Sequence, residues 1–180
     1  MNNRNIIGVT LLVAALLAPS LAFADGEFEG PYAGFKVGNG SLKSNGSILS
    51  GPFNETANSA LFGGIVGTRS NLGNGLIVGV EFDGNYYSEG SDWRYGGSAI
   101  AGLEMGNNGF LYGRVGYGKL NQPGEDLKGL ILGGGYEHVL SDSMNIRFDY
   151  QNIGYTDFDF ADNVVNNTGH EFTGALIFKF

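Results

Sequence analysis

His138 and His170 are the only histidines among the 180 residues, and the chain has no cysteine. Acyl-transfer chemistry would therefore need one of these imidazoles as base for a serine hydroxyl, with a third group to orient the ring. His138 precedes Ser141 by three residues, whereas His170 has no serine so placed. Asp157, Asp159 and Asp162 gather three carboxylates, which hard cations favour, but their spacing is not that of a calcium loop and no glycine stands where such a loop would turn. A solvated acidic segment and two interfacial histidines are the expectation, with no catalytic residue, metal site or cofactor. The triplets beginning at Asn45, Asn54 and Asn166 match the glycosylation pattern at the frequency a chain rich in Asn, Ser and Thr gives by chance.

Twelve other ionisable residues carry a more regular signal. Lys36, Arg69, Glu81, Asp83, Arg94, Glu104, Arg114, Glu137, Arg147, Asp149, Glu171 and Lys179 fall within segments of period-two alternation. The opposite parity holds Phe35, Val37, Phe62, Val80, Phe82, Leu111, Val115, Leu130, Leu132, Phe148, Tyr150, Leu176 and Phe178, among others. Alternation of this kind places the two sets on opposite faces of strands. Eight strands are expected near 31–39, 60–70, 75–86, 93–105, 109–118, 128–140, 144–153 and 169–180. Each is about the 9 to 13 residues a tilted strand needs to cross a bilayer. The links 40–59, 87–92, 119–127 and 154–168 are mostly long, while 71–74, 106–108 and 141–143 are tight turns, the two classes belonging to opposite ends of an up-and-down barrel.

Which face is inside follows from the cost of the charges. A soluble barrel would turn the apolar set inward, where it fills a core. Here the apolar set is matched against twelve charges whose enclosure is tolerable only if they are paired, so the apolar face is assigned to lipid and the charges to the lumen. The interior set holds six bases and six acids. Glu81, Arg94, Glu104, Arg114, Glu137 and Arg147 alternate in sign along strands three to seven and are expected to form a network across the lumen. Eight strands leave room only for side chains, so the network reads as a plug; a wide aqueous pore would take about sixteen strands.

Composition supports an exported membrane barrel. Met1 to Ala24 has a basic residue at Arg4, an apolar run over 6–18 and Ala22-Phe23-Ala24 as a cleavage site, so a signal peptide spanning 1–24 and a barrel domain spanning 25–180 are expected. The apolar run is shorter than the roughly 20 residues of a spanning helix. Removing Arg4 leaves nine basic against eighteen acidic residues, a net charge of −9, which disfavours nucleic acid as a partner. Glycine makes up 32 of 180 residues, well above its usual share of about 7%, and recurs at alternate positions such as Gly133 and Gly135, stripping side chains from one face. The longest link, 40–59, carries Leu42, Ile48, Leu49 and Phe53, apolar residues that a binding surface would expose. Lys119 and Lys128 flank the third long link and, by parity, point outward at the rim, where lipopolysaccharide phosphates would meet them.

The closing residue, Phe180, ends a strand with Phe172, Leu176 and Phe178 at even spacing. Together with Gly30-Pro-Tyr-Ala-Gly-Phe-Lys-Val-Gly38, Gly79-Val-Glu-Phe-Asp83 and the run from Gly133 to Gln151, this terminus resembles the small outer-membrane β-barrels, including the transmembrane domain of outer membrane protein A and the opacity-type, porin-like surface proteins. The resemblance covers essentially the whole chain after residue 24. It implies an all-β, eight-stranded antiparallel barrel in the Gram-negative outer membrane, reached through the periplasm. Insertion by the outer-membrane assembly machinery would use Phe180 as part of the signal, and Glu137 and Arg147 match positions of interior charge. No periplasmic peptidoglycan-binding domain is expected after Phe180. The resemblance implies a monomer that acts as a structural or surface-interaction protein of the adhesin or antigen kind, whose loops meet a host or environmental ligand. The alternative is a narrow porin-like channel, and a remote alternative is a lipid A modifying enzyme.

Overall fold

The computed structural model describes residues 26–180 except 49, 50, 90, 91, 107, 123, 124, 161 and 162. It describes no side chains for 47, 48, 51–53, 122, 125, 156–160 and 163–166. The expected signal peptide lies outside the described residues, as do the side chains of Ile48, Leu49, Phe53, Asp157, Asp159 and Asp162. Eight strands follow in order: β1 (Gly30–Ile48), β2 (Gly51–Asn71), β3 (Leu76–Tyr87), β4 (Trp93–Met105), β5 (Gly109–Gln122), β6 (Glu125–Ser141), β7 (Met144–Phe160) and β8 (Asn163–Lys179). Each pairs antiparallel with the next, and β8 returns to β1 to close the barrel.

Closure fixes the tilt. Cross-strand partners followed once around the wall run from Tyr87 through Leu61, Gly38, Thr173, Asp149, Gly135, Tyr112 and Gly102 to Ile77 on the starting strand. That is an offset of ten residues along β3, from 87 to 77. With about 3.3 Å per residue and about 4.8 Å between strands, the offset tilts the strands by about 40°. A barrel of eight strands so tilted has a lumen that side chains fill.

The strands outrun their sequence signal at the end away from the tight turns. The links expected over 40–59 and 154–168 are instead paired backbone, because β1 runs to Ile48, β2 starts at Gly51, β7 runs to Phe160 and β8 starts at Asn163. Past Leu42 and Tyr155, which still pack inward, the apolar alternation in the sequence fades while the backbone pairing continues. The tight turns are as short as expected. Between β2 and β3 the chain reverses through Gly73, Asn74 and Gly75, all at positive φ (101°, 54° and 74°), with the Asn71 side chain accepting the Gly73 N–H at 2.8 Å.

The parity assignment carries over to the wall: Phe35 is 75% exposed on the outside, while its neighbour Lys36 is 2% exposed inside. The lumen also holds apolar residues that charge parity alone passes over. Phe28, Ile77, Ile100, Phe110 and Tyr112 cluster toward the tight-turn end. Leu120, Leu127, Ile131, Ile153 and Tyr155 cluster toward the opposite mouth, with Leu42 and Tyr87 against them.

Candidate functional site in the barrel lumen

Between the two apolar clusters the interior charges sort into two groups, each neutral. The group nearer the tight turns holds Arg69, Arg114 and Arg147 against Glu81, Glu137 and Asp149. Arg69 from β2 makes a two-pronged contact with Glu137 on β6, Nη1 to Oε2 at 2.9 Å and Nη2 to Oε1 at 3.0 Å. Arg147 on β7 donates from Nε to the same Glu137 at 2.8 Å and from Nη1 to Glu81 on β3. Glu81 accepts in turn from Arg114 on β5 and from the Tyr32 hydroxyl on β1 at 2.8 Å. Arg114 also lies 3.8 Å from Asp149, which accepts a hydrogen bond from the Tyr112 hydroxyl. The chain of contacts therefore crosses the lumen from wall to wall rather than running along one strand.

Aromatic rings fix the guanidinium planes of this group. Arg69 sits 4.2 Å from the Tyr32 ring centre and 5.5 Å from that of Phe110, and Arg147 lies 5.2 Å from Tyr32 and 5.4 Å from Tyr112. Desolvated cations over ring faces gain more than exposed ones, on the order of 2 kcal/mol each. Phe28, wholly buried ahead of β1, closes the group from below. The segment carrying it is tied to β8 by Lys179, whose Nζ donates to the Glu27 carboxylate at 3.1 Å and carbonyl at 2.8 Å.

The second group, toward the long-hairpin mouth, is smaller: Lys36 and Arg94 against Asp83 and Glu171. Asp83 Oδ2 accepts from Lys36 at 2.7 Å and from Arg94 Nη2 at 2.6 Å. Arg94 reaches across to Glu171 through Nε at 2.5 Å and Nη2 at 2.8 Å. Asn85 donates to both acids, at 3.0 and 3.1 Å, and the Tyr87 hydroxyl donates to Glu171. On inward positions between the groups, Ser98, Gln151 and Thr173 are buried with polar side-chain atoms that meet no protein partner. Buried water commonly satisfies groups so placed.

The glycines explain how so many long side chains fit. A Cβ on Gly79 would stand 2.7 Å from Arg69 Cγ and 2.4 Å from the Thr68 carbonyl; one on Gly67 would stand 2.5 Å from the Tyr32 hydroxyl. On Gly135 it would meet the Tyr112 hydroxyl at 2.6 Å and Asp149 at 2.8 Å. The bare inward face inferred from glycine spacing is thus the volume the arginines and tyrosines occupy.

Of the six residues expected to form the network, the structure brings Glu81, Arg114, Glu137 and Arg147 into the first group and Arg94 into the second. Glu104 stands apart at the tight-turn rim, half-buried, with no ion pair among the described residues; it is the last inward position of β4, where the lumen opens to solvent. Tyr32, Tyr112, Phe28 and Asn145, whose side-chain amide donates to Glu137 at 2.6 Å, are not legible in the sequence, because uncharged residues leave no mark in a charge pattern. Lys119 and Lys128 are direct cross-strand neighbours on the outer face, and Asp126 pairs with Lys119 at 2.6 Å. His138 lies on the outer face 3.3 Å from the Tyr136 hydroxyl, and His170 lies 2.8 Å from that of Tyr150. No serine hydroxyl meets either imidazole among the described residues.

A closed wall of eight tilted strands, apolar toward the outside and charged within, agrees with the sequence signature of the outer membrane protein beta-barrel domain, which matches residues 9–180. The chain belongs to that family. Its tight turns accordingly face the periplasm and its long hairpins the exterior. No curated protein matches the sequence. Among solved structures this outer-membrane barrel is similar to Neisserial surface protein A, with 15% identity, a TM-score of 0.49 and coverage of 81% of this chain and 97% of that one. It is also similar to Ail, the attachment invasion locus protein of Yersinia pestis (16%, TM-score 0.38, 82% and 99%), and to OprG of Pseudomonas aeruginosa (10%, TM-score 0.42, 86% and 98%).

Proposed function

We propose that this protein is an ion-tight outer-membrane barrel that works at the cell surface through its extracellular hairpins, without catalytic chemistry of its own. The observation that carries the first half is the pair of neutral ion-pair layers stacked in one lumen, each reaching across the barrel. An ion entering would have to separate buried partners, and breaking such a pair leaves an uncompensated charge at a cost of about 3 to 5 kcal/mol. The second half rests on the hairpins. Pairing of β2 with β3 ends at Leu61 and that of β6 with β7 at Tyr155, yet β1 keeps its partners out to Ile48 on one side and Ser47 on the other. A four-stranded sheet of β7, β8, β1 and β2 therefore stands above the mouth, and a projecting sheet of paired backbone suits contact with a host or environmental ligand.

Planar-bilayer recording of the refolded protein tests the closed lumen. Quiet membranes with rare, small openings are expected, and large stable channels would replace this reading with the porin-like one. Export with cleavage after Ala24 belongs to the same proposal, so protein extracted from outer membranes should begin at Asp25 by mass spectrometry. Capture by the assembly machinery would use the last strand, where the Phe180 N–H reaches the Pro31 carbonyl at 3.2 Å and the ring is 80% exposed. Deleting Phe180 should lower outer-membrane yield while leaving the stability of whatever folds nearly unchanged; unaltered yield would remove this residue from the signal.

A further inference from the structure

Above the mouth, the projecting sheet has an uncovered edge along β2. Pairing of β2 with β3 stops at Leu61, and one backbone contact follows it, the Ser88 N–H donating to the Ala60 carbonyl at 3.0 Å. Ala60 therefore turns its backbone groups to the β3 side, and by the alternation of an antiparallel ladder Asn58, Thr56 and Asn54 turn theirs the same way. Among the described residues nothing pairs with them on that side, while Ala57 and Glu55 are turned to β1. We infer that this edge binds an extended stretch of another polypeptide, which adds to the sheet as a further strand and carries a basic residue. The inference rests on the reading of the hairpins as the working surface and names what they hold.

Sheet edges exposed to solvent are ordinarily guarded by a lysine, a proline or a bulge. Between Asn54 and Asn58 there is no lysine and no proline, the register with β1 runs without a shift, and every residue is exposed. From behind, the edge is held by β1, which is paired in turn to β8. An incoming strand thus meets donors and acceptors already aligned, and the cost of ordering falls mainly on the incoming chain.

The side chains set the occupant's charge. Glu55 is the only ionisable residue of β2 before Arg69, and it shares the parity of the buried Leu61 and Ile65, which places it on the inner face of the sheet. Lys43, the cross-strand partner of Thr56, shares the parity of the exposed Phe35 and belongs to the other face. A lysine or arginine on the added strand opposite Glu55 would gain a cross-strand ion pair, and an acid there would be repelled. A second copy in the same membrane is a poorer occupant. Its β2 would run the same way, toward the membrane, so the two edges could meet only in parallel, the less stable pairing.

The test uses the refolded, isotopically labelled barrel in lipid nanodiscs. The probe is a capped peptide of alternating threonine and valine with a central lysine, set beside one with glutamate for the lysine and one with proline at alternate positions. Saturable protection from hydrogen exchange is expected at the Asn54, Thr56 and Asn58 amides and not at Glu55 or Ala57, with the lysine peptide bound several-fold tighter than the glutamate one. Thr56→Pro removes a donor from the free side and none from the pairing with β1, and should weaken binding by about tenfold, the scale of one lost hydrogen bond. Thr56→Val should leave binding unchanged, and Glu55→Gln should erase the preference for lysine. Heat-dependent gel mobility reports whether the proline variant folds, and Glu55→Gln keeps the test decisive if it does not. Protection without alternation, equal binding of the proline peptide, indifference to Thr56→Pro, or self-association that masks these amides without peptide would overturn the inference. Saturable shifts spread over the face of the sheet would refute the edge and leave the hairpin reading standing, whereas no response from any hairpin residue would count against both.

Discussion

The two ion-pair layers of the lumen are built from the same chemistry and differ in what surrounds them. The inner layer has three arginines, each facing at least one acid and one aromatic ring, with Phe28 and Phe110 sealing it from the periplasm. The outer layer has one arginine and one lysine, is propped by amide and phenol donors from Asn85 and Tyr87, and lies beneath a cavity of about 300 Å³ at the extracellular mouth, which Tyr87 and Glu171 line. A buried charge that loses its partner is costly in proportion to how far water is from it. Loss of one partner is therefore expected to cost more in the inner layer than in the outer, which lies nearer the exterior.

The largest effect that would break this contrast is expected at Glu81, which accepts from Arg114, Arg147 and Tyr32 together. Glu81→Ala should destabilise the barrel by about 3 to 5 kcal/mol in urea unfolding from lipid vesicles, because two guanidiniums lose their shared acid in a sealed place. Arg94→Ala should cost less, about 1 to 3 kcal/mol, since Asp83 keeps Lys36 and Asn85, and Glu171 keeps Asn85 and Tyr87. Equal losses at the two sites would erase the distinction. A smaller effect comes from the glycines that make room for the arginines. Gly79→Ala should destabilise, because its Cβ would press on the Thr68 carbonyl, whereas Gly84→Ala on the outer face meets nothing within 4 Å and should change stability by no more than about half a kcal/mol. The smallest effect is at the rim: changing Lys119 and Lys128 to Gln should leave stability unaltered and reduce co-purifying lipopolysaccharide, and full retention of lipid would show that Asp126 already satisfies the pair.

The same contrast explains what could be read from the sequence. Charge parity was legible because an inward charge on a membrane strand has nowhere else to go, and ten of the twelve residues so assigned are buried. The other two, Glu104 and Lys179, sit at the periplasmic rim, where alternation continues but enclosure has ended. Pairing was not legible: Arg69 meets Glu137 across 68 positions of sequence, a distance set by shear and tilt rather than by any local pattern. The inward apolar residues were hidden for a related reason. Ile131 and Ile153 share their inward parity with the charges, and within apolar runs such as Leu130-Ile131-Leu132 the side that faces lipid does not stand out from the side that does not. The extracellular ends of β1, β2, β7 and β8 are not legible as strands because the period-two apolar signal that marks a membrane strand fades there while the backbone pairing goes on.

Closure by two layers in series makes a claim that a single plug does not, and conductance across planar bilayers measures it directly. Wild-type protein should be nearly silent. Arg147→Ala and Arg94→Ala, each opening one layer, should remain nearly silent because the other still spans the lumen, while the double variant should show frequent openings. Large stable channels in the wild type, or a single variant that conducts as freely as the double, would contradict the account.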